Sequence, residues 1–489
     1  MKFNISKYLL AGCILTGLAS CEKSIELNPT HSLSQENALK SMNDYQASLS
    51  SVYNSLRGVG YYGRNMSVLS DMNADNLVQT TESLVNFLTI TDWVYVQSDG
   101  TVAETWLAGY SVINNANIII NNIDKVTTPA TQKQANRIKG QALAIRALAH
   151  FDLFRWFGES FDRNSTALGV PYMKQSVLEA SPPSVKPSRP TVKENYDEIF
   201  ADLNSARTLL ADVDAAINTS SARYRIDLTG LAALTARVAL YAKDWPTAIS
   251  NATTVINALP LASRSVYPGI WRDQNQSEVA FAVLFSPGEF ASRLAGDVYS
   301  GATNRSQHEG NPSLFAQIDE GNDIRFATSV TRGYVSPLGV APLSRASSRL
   351  VVTKFLGKSS AVDGIVDWKV FRTSEMYLIR AEALANSGQE ASALNDLNTL
   401  RAARINSFVN GTESGPALIN AIALERRKEL FMEGHRWFDL KRTTKTIDRG
   451  TIAAPTTQAT LASTRREWAW PIPQGEMDAN SNMKQNTGY

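Results

Sequence analysis

Residues 425–442, ERRKELFMEGHRWFDLKR, crowd acids, bases, a histidine and three aromatic rings into one short run. Such a set could ligate a metal or supply an acid–base pair. The spacing argues against both: Glu429, Glu433 and His435 lack the two-histidine register of a helical zinc site, and no second histidine is near in sequence. On a helical period Ala423, Leu424, Leu430, Phe431, Trp437 and Phe438 share one face, with Gly434 admitting a close neighbour, so the stripe is expected to be core. Glu425 with Lys428, Glu433 with Arg436 and Asp439 with Arg442 stand three apart and are expected to pair along the helix surface. The run reads as scaffold.

A second run, DMNADNLVQTTE (71–82), sets Asp71, Asn73, Asp75 and Glu82 at positions 1, 3, 5 and 12 of an EF-hand-like loop, with Val78 at the usual apolar position. Asn76 replaces the glycine of position six, so calcium is a minor option beside a polar loop that caps a helix or contacts a ligand. Elsewhere the four histidines (31, 150, 308 and 435) are scattered, and no nucleophile elbow, P-loop or dinucleotide fingerprint follows a strand-like run. No cofactor is implied. A pair of glycosidase carboxylates brought together only by the fold stays open.

Binding chemistry is easier to place. Tyr61, Tyr62 and Asn65 lie in the glycine-punctuated GVGYYGRNMS, just before Asp71, Asp75 and Asn76, and alternation in TDWVYV sends Trp93 and Tyr95 to one side. Flat rings with amide and acid groups at their rim suit a sugar, whose faces are apolar and edges polar. These residues form the expected ligand face, with Tyr299, Arg305 and His308 as weaker candidates. The same two rings could instead face the core of a short strand.

The elements that must position these groups are mostly helical. Apolar residues recur at three and four over 104–123, 133–158 and 192–210. Ala236, Trp245, Ala248 and Pro260, and again Ala381, Gly388, Ala393 and Leu397, fall on the small, aromatic and turn positions of tetratricopeptide-like helix pairs. Between these pairs, residues 261–370 are rich in Gly, Ser and Pro and include EVAFAVLF (278–285), a short buried strand. A loop-rich insertion on a rigid scaffold is where recognition groups are displayed.

At 489 residues and 43% hydrophobic content the chain can bury a large core. Its 48 basic and 46 acidic residues are interspersed, so no basic face points to nucleic acid. Lys2 and Lys7 precede an apolar stretch from Tyr8 to Leu18, the pattern of a secretory signal over residues 1–20, too short for the roughly 20 residues of a membrane span. Leu18-Ala19-Ser20-Cys21 resembles a bacterial lipobox, which would make Cys21 a lipidated first residue, followed by a polar tether over 21–33. The other cysteine, Cys13, lies within the signal, leaving no thiol for a disulfide, metal or nucleophile.

Together the lipobox, SDMNADN (70–76), ALAIRALAHFDLFRWFG (142–158), FRTSEMYLIRAEALA (371–385), the 425–442 run and WPIPQGEMDANSNMKQNTGY (470–489) resemble the SusD/RagB family of outer-membrane nutrient-binding lipoproteins. The resemblance implies a mainly α, tetratricopeptide-like scaffold over 34–489, a loop-rich ligand face near 261–370, and no catalysis. It also implies anchoring at the outer membrane, facing the cell exterior, and capture of a glycan-derived oligosaccharide for a SusC-like TonB-dependent transporter.

Overall fold

The computed structural model describes residues 39–177, 186–218, 222–286, 296–300, 305–333, 349–450 and 456–489; Cys21, the leader and the tether lie outside them. The fold is mainly α. Helix α1 (Met42–Ser55) opens on a capping box in which Ser41 accepts from the Asp44 amide and Asp44 answers to the Ser41 amide. A short α2 (Asn65–Met72) leads to α3 (Gly100–Asn122) and α4 (Gln132–Phe157), which pack against each other, and α5 (Val192–Leu210) packs on α4 behind its own Thr191/Glu194 box. All three long helices occupy the spans that the apolar spacing predicts.

Both helix pairs are present. In the first, α6 (Leu228–Ala242) turns at the left-handed Lys243 into α7 (Trp245–Ala258), which Asp244 caps by accepting from the Thr247 amide. The second is α8 (Thr373–Asn386) and α9 (Glu390–Ala402), joined through Gly388 at φ 76°. Ala236, Ala248, Ala381 and Ala393 are fully buried, and their small side chains let α7 and α8 pack directly although the insertion separates them in sequence.

The insertion contributes strands. The segment read as a strand forms β2 (Val279–Val283), which runs antiparallel to β8 (Trp368–Arg372). A four-stranded sheet, in the order β1 (Leu77–Gln79), β5 (His308–Gly310), β7 (Leu350–Val352) and β6 (Val330–Arg332), joins the loop after α2 to the insertion. Beside it β3 (Tyr299–Ser300) pairs with β4 (Arg305–Ser306).

The 425–442 run is core, but it is not one helix. Helix α10 (Gly415–Glu429) stops, the chain turns through Met432 at φ 63° and Gly434 at φ 79°, and α11 (Arg436–Arg442) begins. A Cβ at Gly434 would stand 2.9 Å from the Met66 carbonyl oxygen, so the expected close neighbour is α2. Trp437 is fully buried, stacked 4.4 Å from Trp468, while Trp156 of α4 packs on Trp470 at 4.0 Å. Trp437→Ala is expected to cost about 3–5 kcal/mol by opening a cavity in this aromatic stack. Urea denaturation of the variant measures that loss.

Candidate functional site

The charges of the run do not mainly pair along a helix surface. Glu433 meets Lys354 at 2.7 Å and Arg372 at 2.8 Å; Glu429 meets Arg372 and Arg404 at 3.1 Å; Glu425 meets Arg325 at 2.6 Å and Arg401 at 3.0 Å. Glu278 joins Arg404 at 2.9 Å and also bonds Arg372, and Asp323 joins Arg325 at 2.7 Å. Of the three expected pairs, only Asp439 with Arg442, at 2.9 Å, forms as a contact, and Asp439 also holds Arg426 at 2.8 Å. Burial alone would raise the Glu429 carboxyl, but Arg404, Arg372 and Arg325 hold it well below the usual carboxylate range. An acid held ionised by three guanidiniums cannot donate a proton, so the cluster is a clasp.

The expected ligand face is corrected by burial: Tyr61, Tyr62, Asn65, Asp71, Asp75, Asn76, Trp93, Tyr95 and Tyr299 all lie inside. Tyr61 and Tyr62 both donate to one Asp152 oxygen, at 2.8 and 2.7 Å, and Arg155 holds the other. Asn65 donates to Thr105 at 2.9 Å. Trp93 donates from Nε1 to the Asn73 carbonyl at 2.9 Å while the Arg449 guanidinium lies 4.0 Å over its ring, and the Tyr95 hydroxyl donates to the Glu467 carbonyl. There is no strand at 93–95: Trp93 adopts φ 54° just after a short helix, Leu88–Thr91. The alternation survives with the opposite sense, rings inward and Val94 and Val96 outward at 57% and 48% exposure.

The calcium option also fails on geometry. Asp71 Oδ1 accepts from Asn76 at 2.7 Å and from the Met432 amide at 2.9 Å; Asp75 is bidentate to Arg436 at 2.6 and 2.8 Å; Glu82 bonds Arg349 at 2.8 Å. Among the described residues no three acids, histidines or cysteines converge as a metal site. The described histidines are buried as well: His150 is lowered to about 3 and His308 to about 4, chiefly by desolvation, and His435 falls well below its ordinary value for the same reason. All three stand neutral.

A loop is anchored where β1 forms one edge of the β1–β5–β7–β6 sheet. Thr80 donates its amide to the Gln307 carbonyl at 2.9 Å, the Leu84 amide donates to the Gln307 side chain at 3.2 Å, and Glu82 accepts from the Ser306 amide at 3.1 Å. Arg349 bridges Glu82 and Glu309 across the sheet. These anchors pin a loop that exposes Leu84 and Val85 at 54% and 55%, beside half-buried Arg305 and Phe87. Val85 at φ 56° and Phe87 at φ 60° are strained, since a β-branched or bulky residue in the left-handed region is a true outlier. Of the earlier candidates only Arg305 is not buried, and its neighbour Ser306 bonds Glu82 of this loop. Leu84, Val85, Val94, Val96, Glu309 and Arg349 were not singled out from sequence, where only an apolar pair amid polar residues marked Leu84 and Val85.

The arrangement defines a helix-pair scaffold carrying a loop-rich insertion. Residues 350–489 match the SusD family, and residues 30–240 match a family described as starch-binding and associating with the outer membrane. SusD-like protein P38 of Formosa agariphila is 26% identical over 99% of each chain, and SusD-like protein P2 of the same organism is 27% identical over 97% of this chain and 98% of its own. A SusD superfamily protein from Bacteroides thetaiotaomicron superposes with a TM-score of 0.79 at 27% identity, covering 91% of this chain and 99% of that one. A putative sugar binding protein from Bacteroides vulgatus shares the fold, with a TM-score of 0.76 at 24% identity over 92% of this chain and 99% of its own. The chain belongs to the SusD/RagB family.

Burial pushes Asp71 up to about 6, against the lowering effect of its bonds from Asn76, Met432 and Ser70. A folded value above the unfolded carboxyl's, near 3.9, means that Asp71 costs stability above pH 6 and that the cost is relieved as pH falls toward 4. Asp71→Asn is therefore expected to equal or exceed wild-type stability at pH 7.5, by on the order of 1–3 kcal/mol, with the difference shrinking toward pH 4. Melting temperatures of both proteins across that range check it; a difference independent of pH would contradict it.

Proposed function

We propose that this protein is a cell-surface lipoprotein that captures a glycan-derived oligosaccharide on its loop face and hands it to a SusC-like TonB-dependent transporter. The observation that carries the reading is the strained, anchored loop of residues 80–96, which turns apolar side chains outward and is tied to the Arg349 bridge through Glu82. Apolar surface for sugar faces and charged groups for sugar edges is binding chemistry. A glycosidase needs one carboxyl kept protonated opposite another. Glu82 and Glu309 instead share the one guanidinium of Arg349. The chain's relatives among SusD-like proteins, and its structural likeness to a putative sugar binding protein, support the same reading.

Attachment in this reading comes from lipid on Cys21, with residues 1–20 removed and 21–33 as tether; among the described residues no helix is long and apolar enough to cross a membrane. Residues 34–489 would form the folded body, with ligand contacts drawn from the insertion at about 261–370.

Purified protein incubated with a glycan panel should retain one class and release no product, and Leu84→Ser with Val94→Ser should weaken that retention about tenfold or more without lowering the melting temperature. Released product, or undiminished retention by the double variant, would overturn the reading. Cys21→Ala should leave a folded protein that a high-salt wash strips from the membrane fraction. Persistence in that fraction would place the anchor elsewhere.

A further inference from the structure

A cavity of about 390 Å³, within the size range of small-ligand pockets, lies where α8, α10 and α11 meet and shares no lining residue with the loop of residues 80–96. Ala385, Ile419, Ile422, Ala423, Leu424 and Leu440 form its apolar wall. The helical period sets Ala423 and Leu424, just ahead of the 425–442 run, among core residues, yet Ala423 is exposed, Leu424 is half-buried and Ile419 is 43% exposed. They face this cavity instead. None of the described residues that line it is aromatic, so the wall suits an alkyl chain rather than the flat face of a sugar ring.

Charge adds a second requirement. Among the described residues Arg426, Arg427, Arg436, Arg442 and Lys445 line the cavity against two carboxylates, and both are engaged: Asp439 holds Arg426 at 2.8 Å and Arg442 at 2.9 Å, and Glu382 accepts from Arg442 at 2.8 Å. Arg427 spends Nε on the Asn76 side chain at 2.9 Å and Nη2 on the Asp75 carbonyl at 2.8 Å, while Arg436 spends Nε and Nη2 on the Asp75 carboxylate at 2.6 and 2.8 Å. Neither uses Nη1 for a hydrogen bond among the described residues. Arg426 is almost inaccessible, and its Nη1 has no partner either, the kind of buried donor that is costly to leave unmet. Burial, and then Arg436 beside it, hold Arg427 down at about 10 despite Asp75, so an entering anion would offset part of that burial. A guanidinium edge suits a carboxylate, which offers two oxygens in one plane.

We infer that this cavity binds a single-chain aliphatic carboxylate, a short or medium-chain fatty acid, its head on the open edges of Arg427 and Arg436 and its chain along Ile419, Ile422 and Leu440. The site goes beyond glycan capture and does not rest on it. Calorimetry of the purified protein with octanoate, octanol and acetate tests it. Octanoate should bind at least about tenfold more tightly than octanol, which lacks the charge, and than acetate, which lacks the chain. Ala423→Trp, a substitution at an exposed position that fills the cavity, should lower octanoate affinity at least tenfold with an unchanged melting temperature. Ile419→Asp, which sets a carboxylate in the apolar wall near the start of α10, should do the same. The Leu84→Ser/Val94→Ser protein should bind octanoate as wild type does, which separates this site from the loop face. No measurable binding of octanoate, equal binding of octanol or acetate, or undiminished binding by folded Ala423→Trp or Ile419→Asp would overturn the proposal.

Discussion

Five carboxylates, Glu278, Asp323, Glu425, Glu429 and Glu433, meet five cations, Arg325, Lys354, Arg372, Arg401 and Arg404, in one interior network. Every one of these side chains except Arg401 is nearly inaccessible. Removing such charges from water is so costly that their mutual attraction does little more than offset it. What the network controls is the alternative states. Any arrangement in which the insertion fails to meet α10 leaves several buried charges without partners, each a loss of several kcal/mol. Residues 278, 323–325, 354 and 372 thereby join 404 and 425–433, and the helix pairs and the insertion become one body.

Local structure was largely legible. Helices α3 to α9 follow spacing and caps that lie within a few residues of one another, and Ala236, Ala248, Ala381 and Ala393 mark close packing whatever lies opposite. The 425–442 run shows where local reading stops. Its apolar residues are core as the period predicts, yet Met432 and Gly434 turn left-handed, because the chain must bring Glu429 and Glu433 to Arg372 while passing within contact of Met66. A three-residue spacing suggests Glu433 with Arg436. The fold gives Arg436 to Asp75, which lies hundreds of residues away in sequence.

The inward or outward sense of the aromatic residues was hidden for the same reason. Tyr61, Tyr62, Trp93 and Tyr95 sit in stretches with the composition of exposed loops, and what buries them is remote: Asp152 for the tyrosine pair, Arg449 for Trp93, Glu467 for Tyr95. Alternation in TDWVYV fixed which side chains travel together. It carried no information about which side faces water, and the apolar character of Val94 and Val96 concealed that they were the outward pair.

These buried anchors also account for the strain above them. Val85, Phe87 and Trp93 hold left-handed backbones within nine residues, a cost of order 1–3 kcal/mol each. An unanchored loop would relax and turn Leu84, Val85 and Val94 toward whatever apolar surface was nearest. Here relaxation is opposed on both flanks: Thr80, Glu82 and Gln307 tie the first turn to the insertion, and Arg449 clamps Trp93 while bonding the carbonyls of Ala74 at 2.8 Å and Thr91 at 2.6 Å. The aromatic residues thus form the fixed base that keeps smaller apolar groups outward. Substituting the base would move the whole loop, whereas substituting Leu84 or Val94 changes only its outward surface, so the chemistry the loop presents can vary while the core beneath it stays constant.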